Sequence, residues 1–300
     1  MGKKRVFVLL IGKKEQGDVN HFQLLQEKTA LEEGQRLGID VEVAFAAGFD
    51  QLRVLKRRLF DKSSQLDAVV TEPTSTSMLD VVLRELKGKT GLVILSAWGP
   101  SIQECAASWG EGLPLGAVGT NHTQVGEIQG RQVKAFLPEG GRVLCVSGPA
   151  RSSAAQQRLE GLKTQVGEDI EVQEICAGQW TESDGIVAFN DWYRVAKAHD
   201  PVVQVIAGGN DELGLGARRA CEALGNAKHR EALLEAKFLG VDGCPTFGER
   251  LLSDGTLTAS VFTPANTGMA LQQLASYWTK GTPVPLRSYT MARPLPVGSA

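Results

Sequence analysis

The chain has few residues of the kinds that carry metal, redox or nucleic-acid chemistry. Its five cysteines, at positions 105, 145, 176, 221 and 244, are widely spread and form no C-x-x-C. That spacing argues against a zinc site, and the odd number argues against a full disulfide framework. Cys145 and Cys176 fall in apolar, strand-like runs and Cys221 on an apolar helix face, so they read as small core residues. His21, His122, His199 and His229 have no metal-ligand spacing among them and are assigned no chemistry. No run of about 18 apolar residues occurs, so no segment reads as a membrane span. The net charge of −2 leaves no electrostatic footprint for nucleic acid. Lys56-Arg57-Arg58 is a short basic run on a predicted helix and reads as a solvated face. No helix-turn-helix precedes Arg5, which argues against direct DNA binding. Met1-Gly2-Lys3-Lys4-Arg5 is basic, but Val6–Ile11 is short and lacks a small-residue cleavage site. It reads as a first strand, not a secretory leader.

Catalytic motifs are also missing. The first strand is followed by Gly12-Lys13-Lys14-Glu15-Gln16-Gly17, which is not the G-x-G-x-x-G of a dinucleotide site. Gly88-Lys89-Thr90 resembles only the end of a phosphate-binding loop: Leu83 stands where the first glycine belongs, and the segment leads into a strand. Ser152-Ser153 has no base at a motif spacing, and no G-x-S-x-G occurs. Asn121-His122-Thr123 matches a glycosylation sequon and is read as chance. The expectation is a non-enzymatic protein without a cofactor or metal.

What the chain does have is alternation. Three hundred residues exceed one typical core and suggest two lobes or one large α/β domain. Strands are predicted at Arg5–Ile11, Val41–Ala46, Leu66–Val70, Gly91–Leu95, Leu115–Val118, Arg142–Ser147, Ile170–Ile175, Val202–Ala207, Phe238–Val241 and Leu257–Phe262. Amphipathic helices are expected between them, at Phe22–Leu37, Gln51–Phe60, Met78–Leu86, Gln124–Phe136, Ser153–Val166, Asp184–Ala198, after Asn210, and at Cys244–Leu252. A last helix is expected at Thr267–Trp278. Repeated βα units with apolar strands imply parallel sheets covered by helices on both faces. Two such series meet near residue 120. Pro294 and Pro296 are expected to keep the tail irregular.

The most informative stretch is Val202–Gly216. An apolar run ends at Gly208-Gly209, Asn210 is placed to cap the next helix, and Asp211 and Glu212 fall in its first turn. Polar side chains therefore stand just past the carboxyl end of a strand, where open α/β sheets bind ligands.

Several segments, in order, resemble one family. Gly208–Gly216 is similar to the N-D-E-x-A-x-G signature of type I periplasmic sugar-binding proteins, a superfamily that includes the effector-binding core of lac-repressor-like regulators. Leu239-Gly240-Val241-Asp242-Gly243 resembles its V-G-F-D-G turn. Val143–Gly148 with Ser152–Leu162 resembles its G-x-x-G-x-x-A-x-x-R-x-x-G-F segment. Thr120-Asn121-His122 with Gly126 and Gly130 resembles its S-D-N-x-x-x-G-x-x-x-G crossover, and Asn20-His21-Phe22 stands where the family has N-P-F-F. The resemblance runs from residue 5 to about 285.

It implies an α/β fold of two doubly wound parallel-sheet lobes joined by a three-crossing hinge. The expected lobes are residues 1–119 with about 264–287, and 120–263 with about 288–300. The implied ligand contacts are Asn20, Phe22, Gln23, Glu72 and Trp98 in the first lobe, and Arg158, Trp180, Asn210 and Asp242 in the second. Thr120 and Thr263 lie at the crossings. Planar Asn, Asp and Arg groups suit adjacent hydroxyls, and aromatic faces suit the C–H face of a sugar ring. The first lobe departs from the family pattern. Ser96-Ala97 replace a common Asp-Arg pair, Glu72 replaces Asn or Asp, and Gln23 replaces an aromatic. The implied ligand is a sugar, a polyol or an amino sugar, bound between lobes that close on it. The implied role is solute binding for an ABC importer, as a monomer and in a periplasmic or extracytoplasmic location. The alternative is the ligand-sensing domain of a regulator or sensor kinase. If Met1 is the native start, the missing leader weakly favours that alternative, and a cytoplasmic location stays open.

Overall fold

A computed structural model describes residues 2–14, 19–61, 65–95, 100–199 and 201–296. The chain divides into two compact units, Met1–Thr120 with Ala265–Thr290, and Asn121–Pro264 with Met291–Ala300. It passes between them three times, after Thr120, Pro264 and Thr290.

The first unit runs β1 (Arg5–Leu10), α1 (His21–Leu37), β2 (Asp40–Phe45), α2 (Asp50–Phe60), β3 (Ala68–Thr71), α3 (Thr76–Leu86), β4 (Gly91–Leu95), α4 (Pro100–Ala106) and β5 (Leu115–Thr120). The second runs α5 (His122–Phe136), β6 (Gly141–Ser147), α6 (Ser153–Val166), β7 (Ile170–Cys176), α7 (Glu182–Ala196), β8 (Val205–Gly208), α8 (Asp211–Glu222), α9 (Ala227–Leu234), β9 (Lys237–Leu239), α10 (Gly248–Ser253) and β10 (Ser260–Phe262). The first unit is completed by α11 (Asn266–Lys280) and β11 (Ser288–Thr290), and the second by β12 (Arg293–Leu295).

The first sheet has the order β11-β5-β4-β3-β1-β2, with every pairing parallel. Its central strands read as unbroken apolar runs because both faces are covered. Phe7, Leu9, Val69, Leu92 and Ile94 join one core with α2, α3 and Ile102 of α4. The alternate residues Val6, Val8, Val70, Val93 and Leu95 join the other with Ala30 of α1 and Leu271 and Leu274 of α11. The two-residue period of a strand divides one apolar run between two cores.

The second sheet has the order β7-β6-β8-β9 and is also parallel. Val143, Val205, Ala207 and Leu239 form a core with Val133 and Leu137 at the end of α5 and Leu162 and Val166 of α6. Helices α7 and α8 contact the same strands. Isolated parallel bridges Leu239↔Ala259 and Asp242↔Phe262 carry the sheet toward β10, which pairs antiparallel with β12.

Three features depart from the sequence reading. As far as residue 296 the tail is not irregular, since it carries β11 and β12. Gly116 lies so close to Val284 and the Pro285 carbonyl that a methyl group there would overlap both, and β11 continues this contact along β5. Pro294 is accommodated because β12 is an edge strand, where a missing N–H costs no ladder bond. The predicted helix at Cys244–Leu252 starts only at Gly248, because Asp242, Gly243 and Thr246 all have positive φ. Cys176 is exposed, unlike buried Cys145, because it ends edge strand β7.

Candidate functional site

Each unit gathers polar side chains at the carboxyl ends of its strands. In the second unit the cluster begins with two helices in backbone contact. A methyl group on Gly126 of α5 would overlap the Arg158 carbonyl, and one on Gly161 of α6 would overlap the Thr123 carbonyl. Only glycine permits that approach. It brings the start of α5, capped by Asn121, against the Arg158 turn of α6, capped by Ser152.

Arg158 is 9% exposed and Asp242 4%, so their ion pair is largely withdrawn from water. Arg158 Nη2 donates to Asp242 Oδ1 at 3.3 Å, Nη1 to the Gly209 carbonyl at 2.5 Å, and Nε to His122 Nδ1 at 3.4 Å. The guanidinium carbon lies 5.4 Å from the centre of the Trp180 ring, within cation–π range. That ring rests on the Gly148 backbone, where a methyl group would overlap it. Asn210 Oδ1 caps α8 by accepting from Leu213 N at 2.9 Å, while its amide donates to the Trp180 carbonyl at 3.0 Å. Thr263, fully buried, donates from Oγ1 to Asp242 Oδ1 at 3.2 Å.

Asp242 has a φ of 94°, a conformation that L-residues rarely adopt. It is held there by its own amide, which donates to Val261 O, and by its carbonyl, which accepts from Thr263 N. The strain fixes the direction of the carboxyl group. Burial raises the Asp242 pKa to about 6, with Arg158 pulling it down and Glu212 pushing it up. Asp211, one residue past Asn210, is pushed well above the carboxylate range by burial and by the Asp242 charge. Ser260 Oγ donates to its Oδ1 at 2.6 Å, which pulls the other way, as does the Gly243 backbone. His122 keeps part of its surface at solvent yet lies deep among protein atoms. That burial, and then the Arg158 charge, lower its pKa to about 3.

Arginine has five N–H donors, of which three are engaged here. Both accepting positions of Asp242 Oδ1 are taken. Among the described residues, up to two guanidinium N–H groups and the second carboxylate oxygen have no hydrogen-bond partner.

The cluster of the first unit is built differently. Asn20 caps α1, accepting from Gln23 N at 2.9 Å. Gln23 is 7% exposed, receives the Ile11 amide on Oε1 at 3.3 Å and donates from Nε2 to Glu72 Oε2 at 2.8 Å. Gln51, also buried, donates to the Glu72 carbonyl at 2.7 Å and accepts from Thr74 N at 3.1 Å. Phe22 is half-buried beside Gln23 in the first turn of α1. Thr120 is buried at the end of β5, in register with Thr290. Trp98, with Ser96-Ala97, lies outside the described residues.

The structure therefore joins Arg158, Trp180, Asn210, Asp242 and Thr263 in one network and Asn20, Gln23 and Glu72 in another. From the sequence, His122 and Gln51 carry no assigned role, and Asp211 reads only as a first-turn acid past a strand end. His122 carries no local signal; only Gly126 and Gly161 hint that its helix touches the one bearing Arg158. Two surface cavities, of about 210 and 250 Å³, share Arg58 and Leu66 at the amino-terminal end of the first sheet. Within the first unit they lie at the opposite end of the strands from the Gln23–Glu72 cluster; Lys56 pairs with Glu85, Arg5 with Asp40 and Arg58 with Glu42, and Lys89 Nζ donates to the Glu85 carbonyl. The convergent polar chemistry lies at the other end of the strands.

A family model described as a periplasmic binding protein domain matches residues 63–280, well over half of the chain. The chain belongs to the periplasmic binding protein family. The ribose import binding protein of Escherichia coli is 32% identical over 136 residues, covering 45% of this chain and 42% of that relative. This periplasmic binding protein thus spans under half the length of that curated relative in the match. The fructose import binding protein of Bifidobacterium longum is 23% identical over 259 residues, covering 86% of this chain and 73% of the relative. An ABC transporter solute-binding protein from Actinobacillus succinogenes, solved with D-allose, has a TM-score of 0.79 at 18% identity. The alignment covers 98% of this chain and 97% of that one, and establishes the type I fold. Among the described residues, no helix is long and apolar enough to cross a membrane.

Proposed function

We propose that this chain is a binder, not an enzyme, and that its ligand is a small, polar, carbohydrate-like molecule: a sugar, polyol or amino sugar. The observation that carries the reading is the Arg158–Asp242 pair, buried, with one carboxylate oxygen and up to two guanidinium N–H groups uncommitted among the described residues. A charged pair held out of water is costly unless its remaining valences are met, and adjacent hydroxyls meet them. Trp180 supplies a ring edge or face for C–H groups beside it. The names of the relatives, ribose import and fructose import binding proteins, support the same ligand class. The proposed contacts are Asn20, Phe22, Gln23, Glu72 and Trp98 in the first unit, Arg158, Trp180, Asn210 and Asp242 in the second, and Thr120 and Thr263 beside the crossings. The ligand favours whichever arrangement lets both units hold it, a population shift toward a closed state. In the physiological role proposed here, a monomer outside the cytoplasmic membrane delivers the ligand to an ABC permease.

A thermal-shift panel of monosaccharides, polyols, amino sugars and nucleosides, followed by calorimetry and solution scattering, tests this. A panel sugar or polyol is expected to raise Tm and to reduce the radius of gyration, and Asp242→Ala is expected to abolish both effects. A panel with no stabilising member, or a hit whose affinity survives both Arg158→Ala and Asp242→Ala, would overturn the reading.

A further inference from the structure

We infer that His122 is a positioning residue of this site: its unprotonated Nδ1 holds the Arg158 Nε–H and so fixes the plane in which the guanidinium meets Asp242 and Gly209. The inference rests on the solute-binding reading, because it concerns how one proposed ligand contact is held.

The geometry sets the roles of the atoms. Arginine nitrogens only donate, so at 3.4 Å the Nδ1 atom must accept. The imidazole proton therefore sits on Nε2, and a single tautomer is selected. The guanidinium is planar. Bonds at Nη1 and Nη2, to Gly209 O and Asp242 Oδ1, let the plane tilt about the line joining those atoms as far as the flexible Cδ tether at Nε allows. The hydrogen bond at Nε, off that line, limits that tilt. The Trp180 ring limits motion normal to the plane. His122 is itself well anchored. It is the first residue of α5, next to the Asn121 cap, on the helix whose Gly126 touches the Arg158 backbone. Arg158 of α6 is the charged group that faces it, and burial beside that cation keeps the ring neutral far below physiological pH. The lone pair on Nδ1 is thus available throughout the range in which the protein works.

The test needs no ligand, so it can fail or succeed independently of the solute-binding reading. Long-range nitrogen–proton NMR of the wild-type chain is expected to show the Nε2–H tautomer of His122, unchanged between about pH 5 and pH 8. Hydrogen exchange of the Arg158 Nε–H is the second readout. It is expected to be slow in the wild type and in His122→Asn, whose side-chain oxygen can replace the acceptor. It is expected to accelerate by about tenfold or more in His122→Phe, which fills the space but cannot accept. Thermal melts would show that both variants fold; if His122→Phe does not, His122→Leu replaces it, and the wild-type tautomer stands as a separate check. An Nδ1–H tautomer, a ring that protonates near pH 6, or equal exchange in the Asn and Phe variants would overturn the inference.

Discussion

The two units carry their polar clusters on similar parallel sheets, yet solve the burial problem in different ways. In the second unit a full ion pair, Arg158–Asp242, is buried and every first neighbour is committed: Thr263, Gly209, His122 and Trp180. In the first unit one carboxylate, Glu72, is only half-buried; the Gln23 amide donates to it, while the Gln51 amide holds the Glu72 backbone carbonyl. A buried charge needs several partners in fixed geometry, and each partner then becomes costly to remove. A half-solvated carboxylate beside amides tolerates substitution, because water replaces what is lost. The polar cluster of the second unit is therefore expected to be the rigid one and that of the first unit the adaptable one.

The largest expected effect breaks the ion pair, and it is asymmetric. Asp242→Ala leaves a guanidinium that cannot lose its proton, and should cost about 3–5 kcal/mol of stability in urea unfolding. Arg158→Ala leaves a carboxyl group that already titrates near 6, so it can take up a proton and should cost less, about 2 kcal/mol. Equal losses, or a larger one for Arg158→Ala, would contradict the assignment of the buried charges.

Next comes Gly148→Ala. The added methyl group overlaps the Trp180 ring, which must tilt off the backbone. A loss of about 1–3 kcal/mol and a shift in Trp180 fluorescence, read in a variant lacking the other tryptophans, are expected. An unshifted emission would place the ring elsewhere.

The pH dependence sharpens the contrast further. Unfolded His122 takes up a proton below about 6.5, whereas the folded ring stays neutral down to about 3, so its contribution to stability falls as pH drops through that window. Asp242 runs the other way. Its folded pKa is raised to about 6, so its contribution is present at low pH and is lost as pH rises from about 3.8 through 6. Asp211 acts with Asp242, since burial pushes its carboxyl group in the same direction. Relative to the wild type, His122→Asn should gain stability on acidification from pH 6.5 to pH 4.5, by at most about 1.4 kcal/mol per pH unit. Denaturant midpoints measured at several pH values check the sign; parallel curves for variant and wild type would refute it.

The smallest expected effect lies in the first unit. Gln23→Leu removes a donor to Glu72 and an acceptor for the Ile11 amide. Because Glu72 still reaches water, the cost should be about 1 kcal/mol. A loss as large as that of Asp242→Ala would erase the distinction between the two clusters.

Much of this was legible in one dimension because the signals are local. The run Val205–Gly208, the glycine pair and the Asn210 cap announce β8 and α8, and Asn210 Oδ1 does accept from Leu213 N. Asn210 also holds the Trp180 carbonyl, so the cap residue ties a loop to a helix start. Other features had no local signal. Helix α4 is only seven residues long, and β11 and β12 three each, too short for a periodic pattern to register. The short helix α9 between Asn226 and Glu235 was missed for the same reason, with only Leu233 fully buried.

By itself the sequence determined the alternation of strands and helices, the caps, and the glycines that let α5 and α6 touch. Each of these depends on residues a few places apart, where backbone sterics and hydrogen bonding act. Tertiary structure alone decided that His122 meets Arg158 across 36 positions and that Asp242 meets it across 84. It also decided that Asp211 is sealed from water while Glu72 is not. Such contacts follow from which strands become neighbours in a sheet and how closely two helices approach. The protonation states that set the chemistry of the site follow from burial, a property no single stretch of sequence contains.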